Sequence, residues 1–231
     1  MGNSIAPPRN DIFDSGHYTR MIINPYTYGG GSITVNYIVD AGSVSNSTSY
    51  TFSALSFGVA EATREIYVCV LSRTTSTGSN PTVTIGGVSA TLLVGNYVAG
   101  SVTTTSHIYK ASVPTGTTGD IVVTYSNSML RCGVFVYRVT GNPTTSTASA
   151  SGTGTPVTAN ITPATGSLAI ACGSGANNNA ILSFNGATED FDTAVEGMFI
   201  NCGSGTNPAT LEWLKTGTDT FQWACCSVGL T

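Results

Sequence analysis

The chain has 231 residues, of which 41% are hydrophobic but only 9% are charged, and its formal net charge is −4. This apolar content suffices for a folded core and excludes a wholly disordered chain. The scattered Lys and Arg residues argue against a nucleic-acid-binding surface, and no apolar run reaches the roughly 20 residues of a membrane-spanning helix. With 27 glycines, the composition favours a non-enzymatic all-β module.

Residues 1–32 differ in composition from the rest of the chain. They contain Pro7, Pro8 and Pro25 and end in three consecutive glycines, 29–31. This pattern predicts an extended N-terminal arm that orders on a partner protein, with a disordered tail as the alternative. The candidate docking residues are the cationic and aromatic side chains of this arm: Arg9, Phe13, Tyr18, Arg20, Tyr26 and Tyr28.

From Ile33 to Val139 the sequence predicts one strand after another. The clearest pair is 82–85 and 88–94, because Gly86 and Gly87 supply the positive φ angles of a tight hairpin turn. One helical turn is expected at 60–65. The other strands are predicted at 33–39, 49–55, 66–71, 107–113, 120–125 and 132–139.

After Val139, a stretch rich in Ser, Thr and Gly (142–156) is expected to form a surface loop or a crossing strand. The remaining strands are predicted at 157–161, 168–172, 181–184, 198–202, 211–214 and 221–228. The sum is an all-β protein with thirteen to fifteen strands. We expect an antiparallel β-sandwich, wound as a jelly roll, that forms a single domain over residues 33–231.

The densest polar segment is 188–196, in which Glu189, Asp190 and Asp192 are candidate ligands for Ca²⁺. Strand alternation would place Asp190 and Asp192 on one face and Glu189 on the other. The segment lacks the glycine-centred loop of twelve residues that a strong calcium motif has. We therefore expect a solvated acidic loop and no metal or other cofactor.

The sequence offers little for catalysis. The chain has two histidines, His17 in the arm and His107, which alternates with apolar residues and is expected to face solvent. Neither is accompanied by the Gly-x-Ser-x-Gly turn of a serine hydrolase. A glycosidase needs two carboxylates at a defined separation, and no feature of the acidic segment fixes such a distance. We expect that the protein is not an enzyme.

The six cysteines form no Cys-x-x-Cys pair and have no histidine at zinc-finger spacing. Most lie within apolar, strand-like runs, so we expect buried free thiols rather than a disulfide framework. Cys225 and Cys226 are adjacent and would point to opposite faces of their strand. Both faces of that strand are therefore expected to be buried.

Aromatic side chains could form a platform on which sugar rings stack. The candidates are Tyr26, Tyr28, Tyr97, Trp213 and Trp223. Trp223 lies in an apolar run and is expected in the core, whereas Tyr26 and Tyr28 are expected to anchor the arm on a protein.

Several segments together resemble a sandwich domain of tailed-bacteriophage structural proteins, over roughly residues 50–230. They are 56–58, 64–68, 83–91, 113–116, 121–124, 131–134 and 188–192. The resemblance implies a component of the virion surface, such as a head decoration protein, a head fibre or the outer domain of a tail fibre. It implies no catalytic residues.

The absence of a long repetitive shaft argues against a tail fibre. We expect a capsid decoration or a head or neck fibre that docks on other virion proteins through residues 1–32. Multivalent attachment favours a homo-oligomer, for which we expect a trimer. Without an export signal in the first residues, synthesis in the host cytoplasm is expected. The alternative is a module of the tail fibre or tail tip that binds a receptor or a host-surface glycan.

Overall fold

The computed structural model describes residues 32–98, 102–176, 181–206, 209–217 and 221–231. These residues form strands and connections without an α-helix, so the prediction of an all-β fold is confirmed. The helical turn expected at 60–65 is a plain turn at residues 62–63. In this part of the chain no helix has the length and apolar character that crossing a lipid bilayer requires. Ile33–Thr231 form one compact unit.

Nine strands form the first half of this unit. They are β1 (Thr34–Ser43), β2 (Ser47–Ser56), β3 (Glu65–Thr74), β4 (Thr82–Ile85), β5 (Val88–Ser89), β6 (Thr91–Tyr97), β7 (Thr103–Ser112), β8 (Thr118–Met129) and β9 (Arg131–Thr140). Their pairing is nested, β1 with β9, β2 with β8, β3 with β7 and β4 with β5. A long hairpin that is rolled into two sheets has this order, so the first half is a jelly roll.

The second half repeats this plan with eight strands. They are β10 (Thr145–Thr153), β11 (Val157–Asn160), β12 (Leu168–Gly175), β13 (Ile181–Asn185), β14 (Thr188–Ala194), β15 (Phe199–Thr206), β16 (Glu212–Thr216) and β17 (Gln222–Leu230). Here β10 pairs with β17, β11 with β16 and β12 with β15, while β14 pairs with β15. Residues 33–231, which we expected to hold one sandwich, therefore hold two successive jelly rolls.

The four sheets enclose three cores. Each jelly roll has a five-stranded inner sheet, in the order β1-β9-β3-β7-β6 or β10-β17-β12-β15-β14, and a smaller outer sheet, β2-β8-β4-β5 or β11-β16-β13. A core lies between the two sheets of each jelly roll, and a third, the shared core, lies between the two inner sheets. The inner sheets are thus covered on both faces, which explains why β3 has an unbroken apolar run. Its residues alternate between two cores: Ile66, Val68 and Val70 face the first core, and Tyr67, Cys69 and Leu71 face the shared core.

The hairpin at Gly86-Gly87 is confirmed, with φ angles of 59° and 80°. The expected return strand 88–94 is wrong in its second half, however. Only Val88–Ser89 pairs with β4, and β6 crosses to the inner sheet and pairs with β7. The crossing places Leu92 against the first core and Val94 against the shared core. Burial of these side chains therefore ends the hairpin early.

Candidate functional site

The predicted docking residues Arg9, Phe13, Tyr18, Arg20, Tyr26 and Tyr28 lie outside the described residues. So does His17. The role of the arm in docking therefore stays a prediction.

The expectation that His107 faces solvent is wrong. His107 lies on β7, an interior strand of an inner sheet, and is completely buried. Its Nε2 lies 3.0 Å from Oδ1 of Asn80, and its ring lies 6.2 Å from that of Tyr109. A pattern of polar and apolar residues looks amphipathic in the sequence, but here cores cover both faces of the strand. His107 therefore serves the packing of the first jelly roll.

Burial lowers the pKa of His107 from 6.5 to about 4, because the charged imidazolium loses its hydration. The neutral side chain is thus favoured in the folded state, and the unfolded state binds more protons between these two pKa values. We expect the free energy of unfolding to fall by about 3 kcal/mol as the pH drops from about 6.5 to about 4, beyond what other groups contribute.

Urea unfolding of the wild type and of His107→Gln across this pH range measures the effect. The variant lacks the titrating group, so its stability is expected to depend less steeply on pH. Equal slopes for the two proteins would contradict the assignment.

The acidic segment is a strand, β14, rather than a loop. A β-bulge between Glu189 and Phe191 shifts the alternation. As a result Oε2 of Glu189 accepts a hydrogen bond from Asn201, whereas Oδ2 of Asp190 accepts one from Tyr137, each at 2.9 Å. Asp190 is the extra residue of the bulge, whereas Asp192 lies opposite Asn201, the residue that also contacts Glu189. The predicted placement of Asp190 and Asp192 on one face is therefore wrong.

The three carboxylates do not form a calcium site in the described structure. Burial raises the pKa of Glu189, and the negative charge of Asp192 raises it further. Asp190, by contrast, is engaged by a tyrosine of the first jelly roll. Among the described residues no cluster of three or more His, Cys, Asp or Glu side chains has a geometry that could hold a metal ion.

Aromatic side chains join the two jelly rolls at one side of the shared core. The ring of Phe191 on β14 stacks on that of Tyr37 on β1, with 6.3 Å between centroids, and meets Phe135 edge-on at 6.2 Å. Tyr37 also packs edge-on against Tyr137, whose hydroxyl donates to Asp190. The acidic segment therefore helps to hold the jelly rolls together, while Phe191 remains 36% exposed.

The glycan platform considered from the sequence does not assemble. Trp213 is completely buried and Trp223 is nearly so, with 5.5 Å between their ring centroids in the core of the second jelly roll. The prediction that Trp223 belongs to the core is confirmed. Of the other candidates, Tyr97 is 38% exposed, and Tyr26 and Tyr28 lie outside the described residues.

All six cysteines are buried free thiols, as expected. Cys226 faces the shared core and Cys225 the core of the second jelly roll, which confirms that both faces of β17 are buried. Three thiols form a row across the inner sheet, because Cys172 lies opposite both Cys202 and Cys226. The Sγ atoms of Cys172 and Cys226 are 3.5 Å apart.

Burial should protect these thiols from a polar alkylating reagent. It raises the pKa of Cys132 to about 12, so the reactive thiolate is scarce even in mildly alkaline buffer. We expect mass spectrometry to find no adduct on the native protein and one adduct on each of the six cysteines after unfolding. Native adducts, or fewer than six after unfolding, would contradict the free, buried state.

The described cations serve the fold. Arg64 is completely buried and donates only to backbone carbonyls, and Arg73 donates to the carbonyl of Gly197. Lys215 is buried and donates to the carbonyls of Gly154 and Phe221. The remaining described cations form ion pairs: Lys110 with Glu65, Arg131 with Glu196, and Arg138 with Glu61. These described cations are not arranged in a row that could bind the phosphates of a nucleic-acid backbone.

Four grooves on the described surface have volumes of about 250 to 380 Å³. They are lined by polar, aliphatic and aromatic side chains, without a charged residue or a histidine. The exposed edge of β10 is a different kind of candidate, because it offers backbone groups rather than a cavity. Sequence reasoning missed it, although its run of Thr, Ser and Ala without charge or proline is visible in residues 145–151.

No protein-family model matches this chain, and no curated protein matches it either.

Proposed function

We propose that this chain is a non-enzymatic structural protein of a tailed-bacteriophage virion, a capsid decoration or a head or neck fibre. Residues 1–32 dock on other virion proteins, and the two jelly rolls form the exposed part. The protein acts on the particle surface and assembles as a homo-oligomer.

The observation that carries this proposal is the fusion of two jelly rolls through the shared core. Shared burial resists bending between the two halves, because separating them would expose Ile170, Ile200 and Val228 to water. Such a unit suits a surface protein that must keep its shape.

The placement of reactive side chains supports the same proposal. His107 and Trp213 are engaged in packing and hydrogen bonds, Trp223 packs against Trp213, and the described cations form hydrogen bonds or ion pairs. A hydrolase would instead need an acid, a base or a nucleophile that converges on an open cleft. The four grooves described above contain no charged side chain and no histidine.

Removal of residues 1–32 tests the docking role. We expect the truncated chain to fold, since Ile33–Thr231 form a compact unit, but to be absent from purified particles. Tyr26→Ala/Tyr28→Ala should weaken incorporation, whereas Tyr97→Ala, which removes an exposed tyrosine outside the arm, should not. Normal incorporation of the truncated chain would refute docking through the arm.

The second candidate is a receptor- or glycan-binding module at the tail tip. Tyr97 and Phe191 are partly exposed aromatic residues, and aromatic faces can stack on sugar rings. Antibody-gold labelling of intact particles separates the two candidates. Label over the head or collar favours decoration, label at the tail tip favours host recognition, and label nowhere on a particle contradicts both.

A further inference from the structure

We propose that β10 is a homotypic interface: β10 of one molecule pairs antiparallel with β10 of a second copy, about a two-fold axis at Ser149. The inference rests on the edge of one sheet and does not depend on the proposed role in a virion.

On one side β10 has no partner strand among the described residues. On its other side it pairs with β17 in an unbroken register from Thr145↔Leu230 to Thr153↔Gln222. Just before the strand, Thr144 and Thr231 exchange two backbone hydrogen bonds, of 2.7 and 3.0 Å. Hydrogen-bonded and non-hydrogen-bonded pairs alternate along an antiparallel ladder. The backbone groups of every second residue therefore point outward: Thr145, Thr147, Ser149, Ser151 and Thr153.

These outward groups are available to a new strand. No described residue forms a backbone hydrogen bond to them, and in the described sheets β17 is the sole neighbour of β10. The side chains of Thr145, Thr147, Ser149 and Thr153 are exposed to solvent. An unpaired row of N–H and C=O groups of this length is a template for strand addition.

The other long edges of the inner sheets are protected against pairing. A bulge interrupts β1 between Tyr37 and Val39, another interrupts β6 between Leu92 and Val94, and β14 has both a bulge and three carboxylates. Bulges and charges are common protections of edge strands. In contrast β10 has no bulge, no charge and no proline.

The sequence of β10 suits a second copy of itself. A two-fold axis at Ser149 places Thr145 opposite Thr153 and Thr147 opposite Ser151, so that outward groups meet outward groups throughout. Each facing pair consists of small hydroxyl side chains, and no like charges oppose one another. The Thr145–Thr153 and Ser149–Ser149 pairs can hydrogen-bond across the strands, whereas the hydroxyl of Ser151 already donates to Oδ1 of Asn96 on β6, 3.0 Å away. The inner sheet would continue from five strands in one molecule to ten in the pair.

A two-fold contact yields a dimer or an even-numbered assembly, whereas multivalent docking led us to expect a trimer. Sedimentation or light scattering of the full chain decides between them. We expect twice the chain mass for the wild type. Ser149→Lys places two ammonium groups face to face at the axis and should halve the mass, whereas Thr51→Lys, on the exposed side of β2, should leave it unchanged.

A cross-linking experiment tests the register. The native cysteines are all buried, so Ser149→Cys introduces the one exposed thiol in the chain. A short bis-maleimide should link two copies of this variant in high yield, and Thr51→Cys should give little product. A monomeric or trimeric wild type, a dimer that Ser149→Lys leaves intact, or equal cross-linking of the two cysteine variants would overturn the proposal.

Discussion

Replacement of Arg64 by alanine is expected to lower the free energy of unfolding by about 3 to 5 kcal/mol. The guanidinium is completely buried and has no carboxylate partner among the described residues. It instead donates to five carbonyl oxygens on two loops, at 2.7 to 3.3 Å: those of Phe57, Gly58, Val113, Thr115 and Gly116. Alanine would leave these acceptors without their donor.

Urea unfolding measures this effect, and two further variants test its physical cause. Arg64→Lys keeps the charge but not the planar fork of donors, so it should recover only part of the lost stability. Lys110→Ala removes a partly exposed ion pair with Glu65 and is expected to cost less than about 1 kcal/mol. Similar losses for Arg64→Ala and Lys110→Ala would refute the conclusion that Arg64 holds the two loops together.

Replacement of Gly173 by alanine is expected to destabilise the second jelly roll by about 3 kcal/mol, the upper part of the range for overpacking. A Cβ at Gly173 would lie 2.0 Å from Nε1 of Trp213. The indole cannot move freely, because it is buried and its N–H donates to Oδ1 of Asn201 at 3.0 Å. Because Gly173 has no side chain, it leaves the space that the indole of Trp213 occupies.

A double-mutant cycle tests this fit directly. Trp213→Leu alone should also cost about 3 kcal/mol, because it leaves a cavity. In the double variant the smaller leucine makes room for the new methyl group, so the combined loss should be at least about 1 kcal/mol smaller than the sum. Additive losses, measured by urea unfolding, would show that the two positions do not compete for space.

Features with a local cause were predictable. The tight turn at Gly86-Gly87 follows from the positive φ angles that glycine tolerates. The burial of Cys225 and Cys226 on opposite faces follows from the two-residue period of a strand. These properties depend on the chain within a few residues, so no knowledge of distant neighbours was needed.

Features that depend on distant partners were missed. His107 is buried because Asn80 and the sheets on both sides of β7 cover it. The bulge at Asp190 exists only in relation to the register of β15. The sequence likewise does not mark the residue at which the chain leaves the hairpin and enters β6. The reason is that the side chains of β6 pack in cores that are built from remote strands.

The amino-acid sequence by itself determined that this protein is an antiparallel β fold with buried thiols and glycine turns, because strand period, apolar content and φ preference are local. The tertiary structure alone decided that the strands nest into two jelly rolls around a shared core. It also decided which polar residues are buried and that no described strand pairs with the outer edge of β10. Strand order and edge exposure are set by contacts between residues far apart in the chain, and composition does not encode those contacts.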